Sequence, residues 1–306
     1  MGKIEAVCIS KEKGTVKTQV DECEIIEQYG LKNDAHAGSG RQVSLLSYEA
    51  VEAFKNGKGK DAVINPGVFG ENLLVSGFDL AACKIGTRFL CGDVVLELMQ
   101  IGKTCHSGCE ISKITGECIM PREGVFACVL CGGTVKRGDD ISMIEKKGFK
   151  ASVLTASDRS FAGEREDISG PLIKRTLLAK GYDVMSLTLL PDDEDGLYDS
   201  LVKICDREHP DLLITTGGTG FSKRDQMPEA TMRAGKKNAP GIAEAIRAYS
   251  MQLTPRAMLS RAISVIRDDT LIVNLPGSPK AVKECLDFLL DNIDHGLMML
   301  RGEADG

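Results

Sequence analysis

Residues 211–225 constrain the fold of this chain more than any other stretch. The apolar run at 211–215 predicts a strand buried on both faces. The strand leads into three glycines within four residues, namely Gly217, Gly218 and Gly220. Glycine lets the backbone turn sharply and aim N–H groups at an anion, Arg224 adds a cation that suits phosphate, and Asp225 adds an oxygen ligand that suits Mg²⁺. The pattern therefore predicts a phosphate site, with a plain tight turn as the alternative.

The second half of the chain alternates strands with helices. Strands are predicted at 150–155, 182–189, 211–216, 262–267 and 270–274, the last two forming a hairpin about Asp268 and Asp269. Helices are predicted at about 169–180, 192–205, 229–234, 242–252 and 280–300. Alternation of this kind predicts an α/β domain with a mostly parallel sheet between helices.

The first half differs from the second. Its apolar segments are short and separated by glycine turns, and one clear helix is predicted, at 47–56. This pattern predicts a β-rich, barrel-like domain. Because 306 residues suffice for two cores, we expect two domains, 1–147 and 148–306, joined near the polar stretch at 145–148.

Composition narrows the classes of partner. The net charge is −6, tryptophan is absent and aromatic residues make up 5% of the chain, which argues against nucleic-acid binding. There is no apolar run of membrane-spanning length and no secretory h-region at the N-terminus, so the sequence predicts a cytoplasmic protein without a membrane partner. Nine of the eleven cysteines lie in the first half, which in a reducing compartment favours thiol or metal chemistry over disulfides.

Polar or glycine-rich turns follow four predicted strands of the second half. They lie at 155–158, 191–192, 217–220 and 274–279. Ligands bind at the carboxyl ends of strands in parallel sheets, so we expect these turns to meet at one edge.

With these segments assembled, the second half resembles the molybdopterin-binding, MogA/MoaB-type family of molybdenum cofactor biosynthesis. The similar runs are LTASDRSFAGEREDISGP (154–171), TTGGTGFSKRDQMPEAT (215–231), PGIAEAIR (240–247) and AMLSRAISVIRDDTLIVNLPGSPKAVKE (257–284). The resemblance implies an ATP-binding, Mg²⁺-dependent nucleotidyltransferase. This enzyme would join AMP to the terminal phosphate of molybdopterin and release pyrophosphate. Met227 and Ser264 depart from the usual threonine and glycine, but neither replaces a charged group.

The resemblance also implies the site residues. Its catalytic, Mg²⁺-holding acids fall on Asp192 and Asp225. The implied substrate-binding residues are Ser157, Asp158, Thr216, Gly217, Gly218, Thr219, Gly220, Arg224, Ser260, Arg261, Asn274, Leu275, Pro276, Gly277 and Ser278. From the residues alone, alternatives remain: Asp192 as a helix cap and Asp158 as a turn stabiliser.

The first half resembles a MOSC domain. The similar runs are YGLKNDAHAG (29–38), RQVSLLSYE (41–49), PGVFGENLLVSGFDL (66–80), IGKTCHSGCEI (101–111), IMPREGVFA (119–127) and GGTVKRGDDI (132–141). The resemblance implies sulfur handling or binding of the molybdenum cofactor, including its molybdenum ion, with Cys105 as the important thiol. Lys103 or His106 would lower its pKa, and His36 would line the same pocket.

Other roles remain open for these residues. Cys105 is alternatively a small buried hydrophobe. A structural zinc site is a further alternative, and its ligands would come from Cys105, His106, Cys109 and Cys118, with Cys128 and Cys131 as further candidates.

Three hypotheses follow. The first is a bifunctional cofactor enzyme whose partners are a small pterin and a nucleotide. The second is a non-catalytic carrier of molybdopterin, and the third takes the first half as an unrelated thiol-dependent reductase or sulfur carrier. The family resemblance also implies a homo-oligomer, commonly a trimer, and allows contacts with other cofactor-biosynthesis proteins or molybdoenzymes.

Overall fold

A computed structural model describes residues 1–58, 64–104 and 110–303. The chain divides into two compact units, Met1–Glu145 and Lys146–Gly306, each with its own hydrophobic core. No helix among the described residues combines the length and the apolar character needed to cross a membrane.

The N-terminal unit is built mainly of strands. They are β1 (Gly2–Ile9), β2 (Thr18–Val20), β3 (Glu22–Ile26), β4 (Gly30–Leu31), β5 (Val43–Ser47), β6 (Leu73–Ser76), β7 (Arg88–Cys91), β8 (Val94–Ile101), β9 (Val125–Cys131), β10 (Gly133–Lys136) and β11 (Asp140–Ile144). The α-helices among the described residues of this unit are α1 (Tyr48–Lys58), α2 (Glu110–Thr115) and α3 (Met120–Glu123), with a 3-10 helix at Leu80–Ala82.

The main sheet of this unit closes on itself. Its order is β11-β7-β8-β9-β5-β6-β1-β2, and β11 also pairs with β1, where Gly2 lies opposite Ile141. Strands β10, β3 and β4 form a small second sheet. The closed sheet surrounds an aliphatic core that includes Leu45, Phe89 and Leu96, each at most 1% exposed. The predicted β-rich barrel is thus confirmed.

The C-terminal unit alternates strands and helices. Its strands are β12 (Lys150–Ala156), β13 (Asp183–Leu190), β14 (Leu212–Thr216), β15 (Lys237–Asn238), β16 (Ser264–Arg267) and β17 (Thr270–Leu275). Its helices are α4 (Asp158–Phe161), α5 (Ser169–Ala179), α6 (Glu194–Glu208), α7 (Met227–Ala234), α8 (Pro240–Leu253), α9 (Pro279–Leu290) and α10 (Asp294–Leu300).

The sheet of this unit is mixed, so the expectation of a mostly parallel sheet was wrong. Its order is β13-β12-β14-β17-β16-β15; the first four strands are parallel, and the last two pairings are antiparallel. The reversal follows from the tight turn at Asp268, where φ is +50°, which folds β16 back against β17. Strand β15 then adds to the antiparallel edge.

The parallel strands are buried on both faces, as their apolar sequences require. In β14, Ile214 packs in a core with residues of α5 and α9, whereas its neighbour Leu213 packs in a second core with residues of α6 and α7. Side chains alternate along a strand, so these two cores lie on opposite faces of the sheet, and helices cover both faces. The ends of the strands are left for ligands.

Candidate active site

The four parallel strands of the C-terminal unit end at one edge of the sheet. Thr155 pairs with Thr216 in register, Thr216 pairs with Leu275, and Ala156 pairs with Leu190. The four turns singled out in the sequence therefore begin side by side. The fold brings the predicted site residues of these turns together, as expected from the topology.

Asp158 and Asp192 hold two of these turns together. The backbone N–H of Asp192 donates to Asp158 Oδ1 at 2.9 Å, and the backbone N–H of Asp158 donates to Asp192 Oδ2 at 3.3 Å. Helix α6 is capped instead by Asp193, whose carboxylate accepts from the N–H of Gly196 at 2.8 Å. The cap alternative for Asp192 is thus taken by its neighbour, which leaves Asp192 available at the site.

The second carboxylate oxygen of Asp192, Oδ1, is buried and has no hydrogen-bond partner. Burial raises the pKa of Asp192 above its ordinary value, and the nearby charges of Asp158 and Asp225 raise it further. Gly218 lies against this oxygen, since a Cβ there would come within 2.8 Å of Oδ1. An unpartnered buried oxygen beside like charges is an arrangement that a bound cation would relieve.

Asp225 shapes the glycine loop from its far end. Its Oδ2 accepts from the N–H of Ser222 at 3.0 Å and lies where a side chain on Gly220 would clash, 2.8 Å from a Cβ built there. Arg224, beside it, is exposed and lies 3.8 Å from Asp158 Oδ2. A cation and three carboxylates thus border the loop.

Arg261 braces the same loop from the neighbouring chain segment. Its Nε donates to the carbonyl of Gly220 at 2.7 Å, its Nη2 donates to the carbonyl of Asp225 at 2.6 Å, and its Nη1 pairs with Glu229. The N–H of Arg261 also donates to the carbonyl of Thr219 at 2.9 Å. Arg261 therefore positions the loop and its acid by three contacts, while the fourth ties it to Glu229 on α7.

The last turn is joined to the glycine loop by close backbone contact. Thr216 Oγ1 donates to the carbonyl of Pro276 at 2.7 Å, and a Cβ on Gly277 would lie 3.3 Å from the Cα of Gly217. Gly217 has φ of +89°, and a Cβ there would come within 2.1 Å of the carbonyl oxygen of Ala156. Only glycine fits at 217.

Of four other predicted residues, three support the turns and one, Ser260, lies apart from them. Asn274 is 1% exposed, and its amide donates to Thr215 at 2.8 Å and Thr231 at 2.9 Å. Leu275 belongs to the core. Ser260 lines a separate cavity of about 200 Å³ beside α8. The side chains of Asn274 and Leu275 thus brace the strand end, and Ser157, at the end of β12, caps the short helix α4.

A polar cavity of about 450 Å³ opens between the ends of β12, β14 and β17 and the start of α5. Its lining includes Ser157, Thr216, Gly217, Gly277 and Ser278, all predicted from the sequence, and also Thr155, Ser160, Arg165, Glu166, Asp167, Ile168 and Ser169, which were not. Thr155 Oγ1 is buried without a hydrogen-bond partner. All seven missed residues lie within the run 154–171, where the density of polar residues was the available signal.

The acids fit a divalent cation of the magnesium type. Mg²⁺ in nucleotide enzymes is commonly held by one or two carboxylates, with phosphates and waters completing the shell. Asp192 offers a partnerless oxygen, and Asp225 is close enough to raise its pKa. Within residues 1–58, 64–104 and 110–303, no three side chains of metal-ligand type converge, so most of the shell would come from substrate and water.

Most of the residues expected to carry thiol chemistry in the N-terminal unit lie outside the part of the chain that the structure describes. Cys105, His106 and Cys109 lie outside the described residues. Cys118 and Cys128 are half-buried and Cys131 is buried, and none forms part of a metal cluster within the described chain. His36 is described, and it lies in a loop anchored by Asp34, whose Oδ1 accepts from the His36 backbone N–H at 3.0 Å.

Comparison with known proteins follows the same division into units. Residues 152–295 match the family described as a probable molybdopterin binding domain, and residues 32–142 match the MOSC domain family. The molybdopterin adenylyltransferase of Helicobacter pylori strain J99 is 40% identical over 152 residues, which cover 49% of this chain and 86% of that protein. The Escherichia coli K12 protein of the same name is 35% identical over 145 residues, covering 47% and 74%.

A solved structure, the molybdopterin biosynthesis enzyme MoaB from Thermus thermophilus, is 40% identical; the match covers 50% of this chain and 97% of that one, with a TM-score of 0.48. The Helicobacter pylori and Escherichia coli relatives are by name adenylyltransferases, a kind of nucleotidyltransferase, which confirms the predicted class of enzyme. The chain belongs to the molybdopterin-binding domain family through its C-terminal unit and carries a MOSC domain in its N-terminal unit. Both resemblances drawn from the sequence are thus confirmed.

Proposed function

We propose that the C-terminal unit transfers AMP from ATP to molybdopterin, with Mg²⁺ held by Asp192 and Asp225. The observation that carries the proposal is the buried, partnerless Oδ1 of Asp192, at the edge of the sheet where the glycine loop begins. We infer the substrate, molybdopterin, from two relatives of the chain that are named molybdopterin adenylyltransferase.

The reaction exchanges one phosphoanhydride bond for another. An oxygen of the terminal phosphate of molybdopterin attacks the α-phosphorus of ATP, the bond from that phosphorus to the β-bridging oxygen breaks, and pyrophosphate leaves. Transfer of this type depends on positioning and on neutralising charge. When bound, Mg²⁺ would neutralise part of the phosphate charge.

Residues of the chain would bind the phosphates and hold the glycine loop in position. Backbone N–H groups of the glycine loop would donate to phosphate oxygens, and exposed Arg224 would pair with them. Arg261 would keep the loop and Asp225 in place through its contacts with the carbonyls of Gly220 and Asp225. Asn274 and Leu275 would act indirectly, because their buried side chains fix the position of the end of β17.

The 450 Å³ cavity beside α5 is the candidate site for the pterin ring. Its volume lies within the range of small-molecule sites. Its polar lining suits a ring with several hydrogen-bonding atoms, and the unpartnered hydroxyl of Thr155 provides one bond that the folded chain leaves unused. The remaining predicted contacts, Ser157, Asp158 and Ser278, border the same space or the adjoining turn.

For the MOSC unit we propose binding of the maturing cofactor, or addition of sulfur to it, with Cys105 as the thiol. A covalent tether between the units would raise the local concentration of a shared intermediate. The homo-oligomeric state implied by the family remains a proposal, to be measured by sedimentation equilibrium.

The alternative is a carrier that binds molybdopterin without transferring AMP. The two are separated by measuring pyrophosphate release from ATP and Mg²⁺, with and without molybdopterin, for the full chain and for Asp225→Asn. Asparagine can still accept from Ser222, so the loop keeps its bond while the charge is lost. Asp269→Asn, in the exposed turn at the opposite edge of the sheet, is the matched control.

We expect release that requires molybdopterin, is retained in Asp269→Asn and is lost in Asp225→Asn. Tight molybdopterin binding by the unaltered chain without any pyrophosphate release would reject the transferase and favour the carrier.

A further inference from the structure

The glycine loop carries an exposed aromatic side chain that the proposed mechanism does not use. Phe221 follows Gly220 directly, and its side chain is 70% exposed, more than that of any other aromatic residue in the described part of the chain. A single exposed apolar side chain is common on a protein surface. Phe221 differs from such a residue because it lies within the candidate active site and because its backbone is fixed.

Hydrogen bonds hold both peptide groups that flank the Cα of Phe221. On one side, the carbonyl of Gly220 accepts from Nε of Arg261 at 2.7 Å. On the other side, the N–H of Ser222 donates to Asp225 Oδ2 at 3.0 Å, and the N–H of Asp225 donates to the carbonyl of Ser222 at 3.0 Å. The direction of the Cα–Cβ bond is therefore set. The ring keeps only its two side-chain torsions, so little conformational entropy is lost when a ligand covers it.

The groups proposed to hold phosphate and Mg²⁺ stand a few residues further along the same loop. Arg224 is exposed, and Asp225 is one of the two acids proposed to hold Mg²⁺. In a nucleotide the base is joined to the phosphates through one ribose. A nucleotide whose phosphates bind at Arg224 and Asp225 therefore keeps its base close to the loop that carries Phe221.

The cavity proposed for the pterin lies at the other end of the loop. It is lined by Thr216 and Gly217, where β14 ends, and Phe221 is not among its lining residues. The proposed reaction brings together two ring systems, the pterin and the adenine. Since the cavity takes the pterin, the adenine is the ring that remains for Phe221.

We propose that the adenine of ATP stacks on Phe221, so that one end of the glycine loop binds the base while the loop N–H groups and Arg224 bind the phosphates. The inference rests on the proposed adenylyl transfer, which makes ATP a substrate. Stacking on an aromatic side chain tolerates any base, because every base has a π-face. Phe221 thus selects for a nucleotide that carries an aromatic base, and it does not distinguish adenine from guanine.

The chain contains no tryptophan, so Phe221→Trp introduces a single fluorophore at the proposed contact. A purine that stacks on an indole quenches its fluorescence. The probes are ATP and inorganic tripolyphosphate, each with Mg²⁺, because tripolyphosphate supplies the phosphates without a base. Phe161→Trp is the matched control, since Phe161 is 57% exposed on α4, outside the glycine loop. Molybdopterin is omitted, so the signal does not depend on transfer.

We expect ATP to quench the fluorescence of Phe221→Trp but not that of Phe161→Trp, and tripolyphosphate to quench neither. In calorimetric titrations, Phe221→Ala should weaken ATP binding about tenfold, the loss typical of one base stacked on an aromatic ring, and leave tripolyphosphate binding unchanged. Phe161→Ala should bind both probes as the unaltered chain does.

Equal losses of ATP and tripolyphosphate binding in Phe221→Ala would overturn the proposal, because the residue would then act only on the shape of the loop. Absence of quenching in Phe221→Trp, together with transfer that keeps its KM for ATP in Phe221→Ala, would overturn the stacking contact and leave the proposed function intact. Quenching by ATP in a chain that transfers no AMP to molybdopterin would support the contact and reject the proposed function.

Discussion

At the scale of single residues, Asp192 is central to the proposed mechanism. Its carboxylate is held by one backbone N–H, and its other oxygen has no partner. Burial and two neighbouring acids raise its pKa, so the free chain holds this charge in an unfavourable place. A bound cation would compensate the charge of Asp192, and a buried carboxylate in such a place is typical of a functional site.

Asp192→Asn should therefore separate activity from stability. We expect adenylyl transfer to fall on the order of 10²–10³-fold, because the charge that holds Mg²⁺ is gone. The melting temperature should stay constant or rise, because an unfavourable charge is removed. Asp199→Asn, an exposed acid on α6, should change neither quantity. Full activity in Asp192→Asn would remove this residue from the mechanism.

Arg261 supports a second prediction at this scale. Lysine at 261 cannot serve two backbone carbonyls and Glu229 together, so Arg261→Lys should loosen the loop and lower kcat about tenfold or more. Arg267 makes a similar set of bonds, to Asp206 and the carbonyl of Ala234, at the opposite edge of the sheet. Arg267→Lys should lower the unfolding free energy and leave kcat unchanged. The same loss of kcat in both variants would mean that Arg261 acts only through stability.

At the scale of elements, the turn after β14 is specified by glycine. Gly217→Ala meets two obstacles, a positive φ and a contact of 2.1 Å with the carbonyl of Ala156, whereas Gly163→Ala meets only a positive φ of +75° in open space. We expect Gly163→Ala to destabilise the chain by about 1 kcal/mol. Gly217→Ala should destabilise it further and abolish transfer. Chemical denaturation and the transfer assay measure both; equal effects of the two variants would argue against a tightly packed turn.

The sequence predicted this element well because its signals are local. Buried strands, glycines and turn acids stand next to one another at 211–225, and the hairpin about Asp268 was marked by its own residues. The hairpin already predicted one antiparallel pair, but the sheet was expected to be mostly parallel because the two-residue strand β15, which extends the antiparallel edge, has no sequence pattern. The final helix was predicted as one element but ends at Leu290 and resumes at Asp294.

The candidate site was also predictable in part because some of its signals are local in the sequence. The four turns follow from strand ends, but the bracing role of Asn274 depends on its distance from Thr215 and Thr231, which lie far from it in sequence. The cap of α6 belongs to Asp193 and not to Asp192, a difference of one residue that only the geometry distinguishes. Thr155 was placed in the turn at 155–158 but not among the substrate-binding residues, because the absence of a hydrogen-bond partner has no sequence pattern.

At the scale of the whole molecule, we expect the stability of the N-terminal unit to depend on pH. Glu71 is buried in the N-terminal unit and accepts from the N–H groups of Gly67 and Phe69, at 2.6 and 3.1 Å. Burial raises its pKa to about 7. Between the unfolded value of about 4.5 and this folded value, the folded state binds more protons, so stability falls as pH rises.

The barrel should therefore lose up to roughly 3 kcal/mol of stability between pH 4.5 and 7. Asp34 has a lowered pKa, so its contribution is present above its unfolded pKa and is lost only at more acidic pH. A maleimide pulse in urea, with labelling of buried Cys8 read by mass spectrometry, would follow the opening of this unit. In Glu71→Gln, the stability of this unit should depend less on pH. A wild-type stability that stays constant between pH 4.5 and 7 would contradict the raised pKa of Glu71.

We propose that the C-terminal unit makes an adenylylated pterin, and the fate of the α-phosphate of ATP tests this proposal. The full chain is mixed with Mg²⁺, molybdopterin and ATP labelled at the α-phosphate, and the products of a single turnover are separated. We expect label on molybdopterin, one pyrophosphate released per labelled product, and formation of both on the order of 10²–10³-fold slower in Asp192→Asn. Label that remains wholly in ATP, while molybdopterin is bound, would contradict the account.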